Sequence, residues 1–243
     1  MVEGKYLRAL ADLVLPRRCV VCGEILRLHE RHICTECLSD LPLTYFWLMD
    51  HNPMSDLFNE RIQKGLPEGA SFVPYVHAVS LFFYNVASPY RQIPQHLKYL
   101  RGFAQGRFFA SMLGRRLASS YLKDVDVIVP VPLHPLRRYS RGYNQAEVIA
   151  RALAGEIGAS VDTKALRRIS WSRTQTKMSG RVRSSNVEGA FRVGKIPPGA
   201  GHILIVDDVF TTGSTLYECW KVLRSALPEN VRISVASLAF VQG

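Results

Sequence analysis

The chain has 243 residues, 47% of them hydrophobic, with 31 Lys and Arg against 20 Asp and Glu and a formal net charge of +11. This length suits one sizeable domain with a small module beside it, and the apolar fraction excludes a wholly disordered chain. The charge favours a polyanionic partner (nucleic acid, a phosphorylated substrate or an anionic membrane surface), while the lack of any run near ~18 uninterrupted apolar residues predicts no membrane span.

Residues 1–16 read as a short amphipathic helix. Charges at Arg8 and Asp12 interrupt its apolar positions and no small-residue cleavage site follows, so no secretory signal is expected and the expected location is cytoplasmic. Then come Cys19-Val-Val-Cys22 and Cys34-Thr-Glu-Cys37, two CxxC pairs with eleven residues between them. Each two-residue spacer lets both sulfurs of a pair reach one ion, and four thiolates fill the tetrahedral shell of a structural Zn²⁺. Gly23 can take the positive φ of the turn after the first pair, and Arg17 and Arg18 would offset the doubly negative ZnS₄ centre. Two disulfides are the alternative, disfavoured in a reducing compartment. His29 and His32 are rival ligands, but four cysteines already close the shell. A metal of this kind replaces the core that about forty residues cannot build. The expected organisation is an N-terminal helix and zinc-binding module over 1–45, a linker over 46–74 with a short helix near Asp56–Lys64, and a main domain over 75–243. Tyr45, Phe46, Trp47 and Phe58 are expected to pack the module against that domain.

Val76–Tyr84 is rich in β-branched and aromatic residues and predicts a strand. After Pro89 and Pro94, Gln95–Leu117 reads as one helix with Leu97, Leu100, Phe103, Phe108, Met112 and Leu113 on its core side. Val125–Val131 predicts a second strand, running into a basic loop that holds His134, Arg137, Arg138, Arg141, Gly142, Asn144 and Gln145. Ala146–Ile157 follows as a helix. A strand that feeds a basic loop at a helix N-terminus is a candidate anion site; a solvated basic turn is the bland alternative. Ala165–Phe191 carries Arg167, Arg168, Arg173, Lys177, Arg181 and Arg183 with one acid, Glu188. It reads either as a loop closing over an anion or as a nucleic-acid-binding arm.

Ile203-Leu-Ile-Val-Asp-Asp-Val-Phe-Thr-Thr-Gly-Ser-Thr215 is the most informative stretch. Four apolar residues predict a buried strand, Asp207 and Asp208 follow, and Thr211, Thr212, Gly213, Ser214 and Thr215 make a small-residue loop before a helix marked by Leu216, Val222 and Leu223. Backbone N–H groups of such a loop and the helix dipole attract a phosphate, and small side chains let its oxygens reach the main chain. Paired acids at the strand end suit ribose hydroxyls. Lone Cys219, on that helix, is expected to pack in the core. Val231–Phe240 closes the chain as a last strand. The order of strands and helices predicts an α/β fold with a mostly parallel sheet, and its two anion loops meet at the carboxyl ends of the strands.

The Ile203–Thr215 segment resembles the phosphoribosyl-pyrophosphate (PRPP) signature of type I phosphoribosyltransferases. With Cys19, Cys22, Cys34 and Cys37, Lys98-Tyr99, the run Pro130–Gln145, Thr174-Gln175, Arg183, Asn186 and Phe191, nearly the whole chain resembles the ComF family of competence proteins. The resemblance implies a zinc-binding module fused to a type I phosphoribosyltransferase fold, with PRPP and Mg²⁺ in its pocket. It implies that Asp207 and Asp208 hold the ribose, Thr211–Thr215 the 5′-phosphate and the Arg137–Gln145 stretch the pyrophosphate. Lys98 would lie in a cap, and Gln175, Lys177, Arg183 and Asn186 in a flexible loop. The implied role is the handling of single-stranded DNA in natural transformation, with other competence proteins such as a DNA helicase or translocase as partners. An active phosphoribosyltransferase acting on a nitrogenous acceptor is the second reading, and no residue stands out as its general base.

Overall fold

Ile203–Val206 and Ile233–Leu238 lack the polar alternation of a half-wet strand, which predicts burial on both faces. In the computed structural model, which describes residues 12, 14–67, 69, 73–85, 87–99, 102–169, 189–196 and 199–241, these segments are the centre of a parallel sheet. Its strands are β1 (Ala78–Tyr84), β2 (Val127–Pro130), β3 (Ser160–Val161), β6 (His202–Phe210) and β7 (Arg232–Val241), in the order β1-β7-β6-β2-β3. Every neighbouring pair is parallel. Two short strands, β4 (Leu166–Arg168) and β5 (Phe191–Val193), form a separate antiparallel ribbon. The ribbon frames the basic stretch expected to be one polar loop; residues 170–188, with Gln175, Lys177, Arg183 and Asn186, lie outside the described residues.

The helices are α1 (Thr35–Ser39), α2 (Pro53–Gly65), α3 (Gln92–Tyr99), α4 (Phe103–Leu117), α5 (Pro135–Arg141), α6 (Gln145–Ile157) and α7 (Ser214–Arg224). Sequence caps set several ends. Asn52 accepts from the N–H groups of Met54 and Ser55 and places Pro53 at the first helical position of α2, where a missing N–H costs nothing. Asn144 caps α6 by accepting from the Ala146 N–H, and the helix stops at Gly158 with φ +75°. α4 lies against α6, and Gly114 is a point of close approach: a Cβ there would sit 2.8 Å from Glu156 Cβ.

Two sequence expectations change. The single helix over Gln95–Leu117 is two, α3 and α4, with Gly102 holding a non-helical backbone (φ −71°, ψ 44°) ahead of the second. Pro94 does not end a helix but sits in the first turn of α3, where proline is tolerated. The basic loop after β2 is in large part helix α5. His134 caps it through Nδ1, Pro135 starts it, and Gly142 ends it with φ +77°.

The segment after the cysteines is stitched to the sheet. Thr44 N–H donates to the Leu81 carbonyl, Phe83 N–H to the Pro42 carbonyl, and Thr44 Oγ1 to the Ser80 carbonyl. Phe46 meets Phe83 and Phe240 edge-on at 5.4 and 5.6 Å, and Phe58 of α2 is fully buried beside Phe210. Among the described residues no helix is long and apolar enough to cross a membrane.

Candidate PRPP cleft and metal centre

The sulfurs of Cys19, Cys22, Cys34 and Cys37 all lie within 4.8 Å of one another, with Cys22 and Cys34 at 3.8 Å. Tetrahedral Zn²⁺ with bonds of about 2.3 Å needs sulfurs ~3.8 Å apart, so the donor set fits that ion. No pair is bonded as a disulfide. Val21 and Cys34 N–H groups point at Cys19 Sγ, and Cys37 N–H at Cys34 Sγ, each at 3.4 Å. Burial raises the Cys19 thiol, but N–H groups of Cys22, Cys34 and Val21 outweigh it and bring it down to about 7. Cys37 is pushed far up by burial and by its sulfur neighbours. Four thiolates this close need a cation. The shell is braced by Glu30, whose carboxylate accepts from Arg27 N–H, Thr35 N–H and Thr35 Oγ1; the two backbone bonds hold it down to about 2. His32 is turned away to meet the Phe108 ring at 5.6 Å.

A cleft of about 350 Å³ opens at the carboxyl ends of β2 and β6. It gathers Lys98 from α3, Arg137 and Arg141 from α5, Asn144, Gln145, Arg168 from β4, and Asp207, Asp208, Thr211 and Thr215 from β6 and the turn after it. The acids are the last part of the strand rather than part of a loop: β6 continues through both to Phe210. Consecutive strand residues face opposite ways, and their surroundings differ accordingly. Asp208 takes Lys98 Nζ at 2.9 Å. Asp207 feels Arg168, and its carboxyl is raised to about 7 by burial and then by the Asp208 charge.

The other wall is cationic. Arg137 and Arg141 stand one helical turn apart and share a face of α5. Arg141 donates to Gln145 Oε1 at 3.2 Å. Gln145 is 3% exposed and its Nε2 has no partner among the described residues, leaving a buried donor at the cleft wall. Burial, and then the charge of Arg137, lower the pKa of Arg168. Crowded cations and an orphaned donor are what an anion would relieve.

The turn Thr211–Gly213 leads into α7, whose first turn has no side-chain cap. Gly213 takes φ +71°, and a Cβ there would lie 2.6 Å from the Phe210 ring. Thr212 and Ser214 hydroxyls share a 2.8 Å hydrogen bond, and Arg61 of α2 donates to the Thr212 carbonyl at 2.9 Å. N–H groups without a side-chain cap at the start of an eleven-residue helix, next to small side chains, are the parts an anion cradle would need.

Not every expected residue meets here. Arg138 and Gly142 border a different cleft with Phe103 and Arg107, because Arg138 is displaced around α5 from the Arg137–Arg141 face. Asn144 is occupied as the cap of α6 and by the Val131 carbonyl. Tyr84, Gln95 and Arg168 line this cleft of Asp207 and Asp208 without having been singled out. Arg168 was legible only as one of several arginines in a polar stretch; the ribbon that aims it is a tertiary feature.

Comparison with known proteins bears on the metal module and on the family. Residues 10–45 match the double zinc ribbon domain. The chain is 30% identical to the DNA utilization protein YhgH of Escherichia coli K12 over 213 residues, 84% of this chain and 83% of that one. It is 38% identical to YhgH of Salmonella typhimurium over 112 residues, where the match spans 46% of this chain and about half (48%) of the relative. Competence protein F of Haemophilus influenzae is 35% identical over 46% of this chain and 50% of its own. Among solved structures, orotate phosphoribosyltransferase from Aeropyrum pernix aligns with 75% of this chain and 81% of its own at 16% identity, with a TM-score of 0.32, too loose an overlap to bear on the pocket. With a four-cysteine module that suits structural zinc, a parallel sheet flanked by helices, and a relative of this identity along most of its length, the chain belongs to the ComF family.

Proposed function

We propose that the cleft binds PRPP and that the protein serves DNA uptake and natural transformation in the cytoplasm, in contact with single-stranded DNA. The observation that carries the PRPP assignment is the meeting of Asp207, Asp208, Thr211 and Thr215 with Lys98, Arg137, Arg141 and Arg168 around one cavity. The 5′-phosphate would rest on the N–H groups of Thr211, Thr212, Gly213, Ser214 and Thr215. The ribose 2′- and 3′-hydroxyls would donate to Asp207 and Asp208. The pyrophosphate would take Arg137, Arg141 and the spare Gln145 donor, charge-assisted bonds in a partly dry site. Carboxylate and phosphate oxygens are the hard donors Mg²⁺ prefers, so the site suits the ion as PRPP's companion, where it would neutralise pyrophosphate charge. Gln175, Lys177, Arg183 and Asn186 would close over the ligand from outside the described residues. The names of YhgH and competence protein F support the DNA role, and the +11 charge suits a single strand. Other competence proteins, a DNA helicase or translocase among them, are the partners this role would require.

The second reading is catalysis: a nitrogen nucleophile attacks C1, the C1–O bond breaks and pyrophosphate leaves, its charge taken up by the arginines. It gains from the cation cluster and loses from the cleft lining, which among the described residues holds no His or Glu, while Lys98 is committed to Asp208. Binding without turnover is therefore preferred. Calorimetry with PRPP and Mg²⁺ tests the binding, with saturable heat expected. Pyrophosphate release in the presence of free bases and single-stranded DNA separates the readings: release above background would move the protein to the transferases, and absence of PRPP heat would refute both.

A further inference from the structure

Helix α5 divides two clefts. Arg137 and Arg141 look into the PRPP-type cleft; Arg138 borders a second cavity of about 530 Å³ between α4 and α6, with Phe103, Arg107, Tyr143, Glu147 and Arg151. Phe103, the first residue of α4, is 40% exposed, and its ring lies against Tyr143 with centroids 4.0 Å apart. Tyr143 is itself buried and its hydroxyl donates to the Leu97 carbonyl, so the ring under Phe103 is anchored to α3. The result is a supported aromatic platform with open surface.

Its charge is one-sided. Among the described residues Glu147 is the only acid in the lining, and Arg151 takes it at 2.7 Å. Arg107 and Arg138 are exposed and make no ion pair with the described residues. Tyr139, 92% exposed, follows Arg138 on α5. An open ring flanked by uncommitted guanidinium groups is the chemistry that holds a single strand: any base has a face to stack, and the flanking phosphates meet the cations. A duplex keeps its base faces covered, and an acidic peptide would use the arginines but leave the ring idle.

We propose that the cleft between α4 and α6 is the single-strand site of this protein, with a base stacked on Phe103 and neighbouring phosphates on Arg107 and Arg138. The inference rests on the single-strand half of the proposed function and is independent of PRPP. Because α5 is the common wall, a strand held here would run beside the PRPP-type cleft rather than through it.

Fluorescence anisotropy on the full chain tests this, with labelled oligothymidylate and an abasic oligomer of equal length as probes. Phe103→Leu keeps an apolar side chain on Tyr143 but removes the stacking face; it should weaken oligothymidylate binding roughly tenfold and leave the abasic oligomer unaffected. Arg107→Gln should weaken both probes and lower the salt slope of log affinity by about 1. Both variants should keep the parent's melting temperature and PRPP heat. If the parent binds oligothymidylate and both variants bind it equally well, the cleft is not the site, while the DNA role survives. If Phe103→Leu weakens both probes alike, or heparin displaces both with equal ease, the ring reads no base and the cleft is a general polyanion surface, which overturns the proposal. A parent that binds no single strand refutes this site and the DNA role together, leaving the PRPP reading untouched.

Discussion

Asp207 is the acid whose ionisation its surroundings in the cleft oppose. Its carboxyl is raised to about 7, by burial and then by Asp208, against an unfolded value near ~3.9. Between those two pH values the folded state binds more protons than the unfolded one, so this group makes stability fall as pH rises from about 4 to about 7 and adds no slope above that. Asp207→Asn should remove that part of the slope: melting curves across this window should be flatter for the variant, and the variant should gain relative to the parent as pH rises. Equal slopes would mean Asp207 is ionised in the fold throughout. On the opposite wall, Arg137 and Arg138 are neighbours in sequence that border different clefts. Arg137→Gln should cost more PRPP affinity than Arg138→Gln, by roughly tenfold for a charge-assisted bond of about 1.5 kcal/mol. The sequence could not separate the two, because their division depends on where helix α5 points each side chain.

At the scale of elements, the turn between β6 and α7 is the tightest constraint. Gly213 combines φ +71° with the Phe210 ring 2.6 Å from any Cβ. Gly213→Ala should destabilise the protein by about 1–3 kcal/mol, read from denaturant midpoints, and should weaken PRPP in calorimetry as the cradle distorts. The zinc module reaches the same cleft by a different route. Tyr90 donates to the Cys37 carbonyl at 3.0 Å, and the turn Pro89–Arg91 that carries it runs directly into α3, whose Lys98 holds Asp208. Purified protein should carry close to stoichiometric zinc. Stripping it with a chelator should lower the melting temperature and also weaken PRPP binding; loss of zinc with both unchanged would contradict the brace. The elements themselves were mostly legible. Apolar runs marked β2, β6 and β7, and the cysteine spacing marked the metal shell. The break at Gly102 and the helix at Pro135–Arg141 were not, since one glycine and one His-Pro pair are weak local signals beside long polar and basic stretches.

For the whole molecule, the order of strands and helices in the sequence was enough to predict a parallel sheet with ligands at its carboxyl edge. It was not enough to give the order β1-β7-β6-β2-β3, which puts β2 and β6 side by side and so brings two candidate anion loops, about seventy residues apart in sequence, into one cleft. The contribution of Arg168 through the β4–β5 ribbon was hidden for the same reason: contacts far apart along the chain leave no periodicity to read. The central claim is that this joined cleft is a ribose-phosphate site. Isothermal titration of PRPP with Mg²⁺ into the parent and into the Asp207→Asn/Asp208→Asn double variant tests it most directly. Saturable binding by the parent, reduced at least roughly tenfold in a folded variant that has lost both carboxyl hydrogen-bond acceptors, is the predicted result. Equal affinity in the two proteins, or no binding by the parent, would contradict the account.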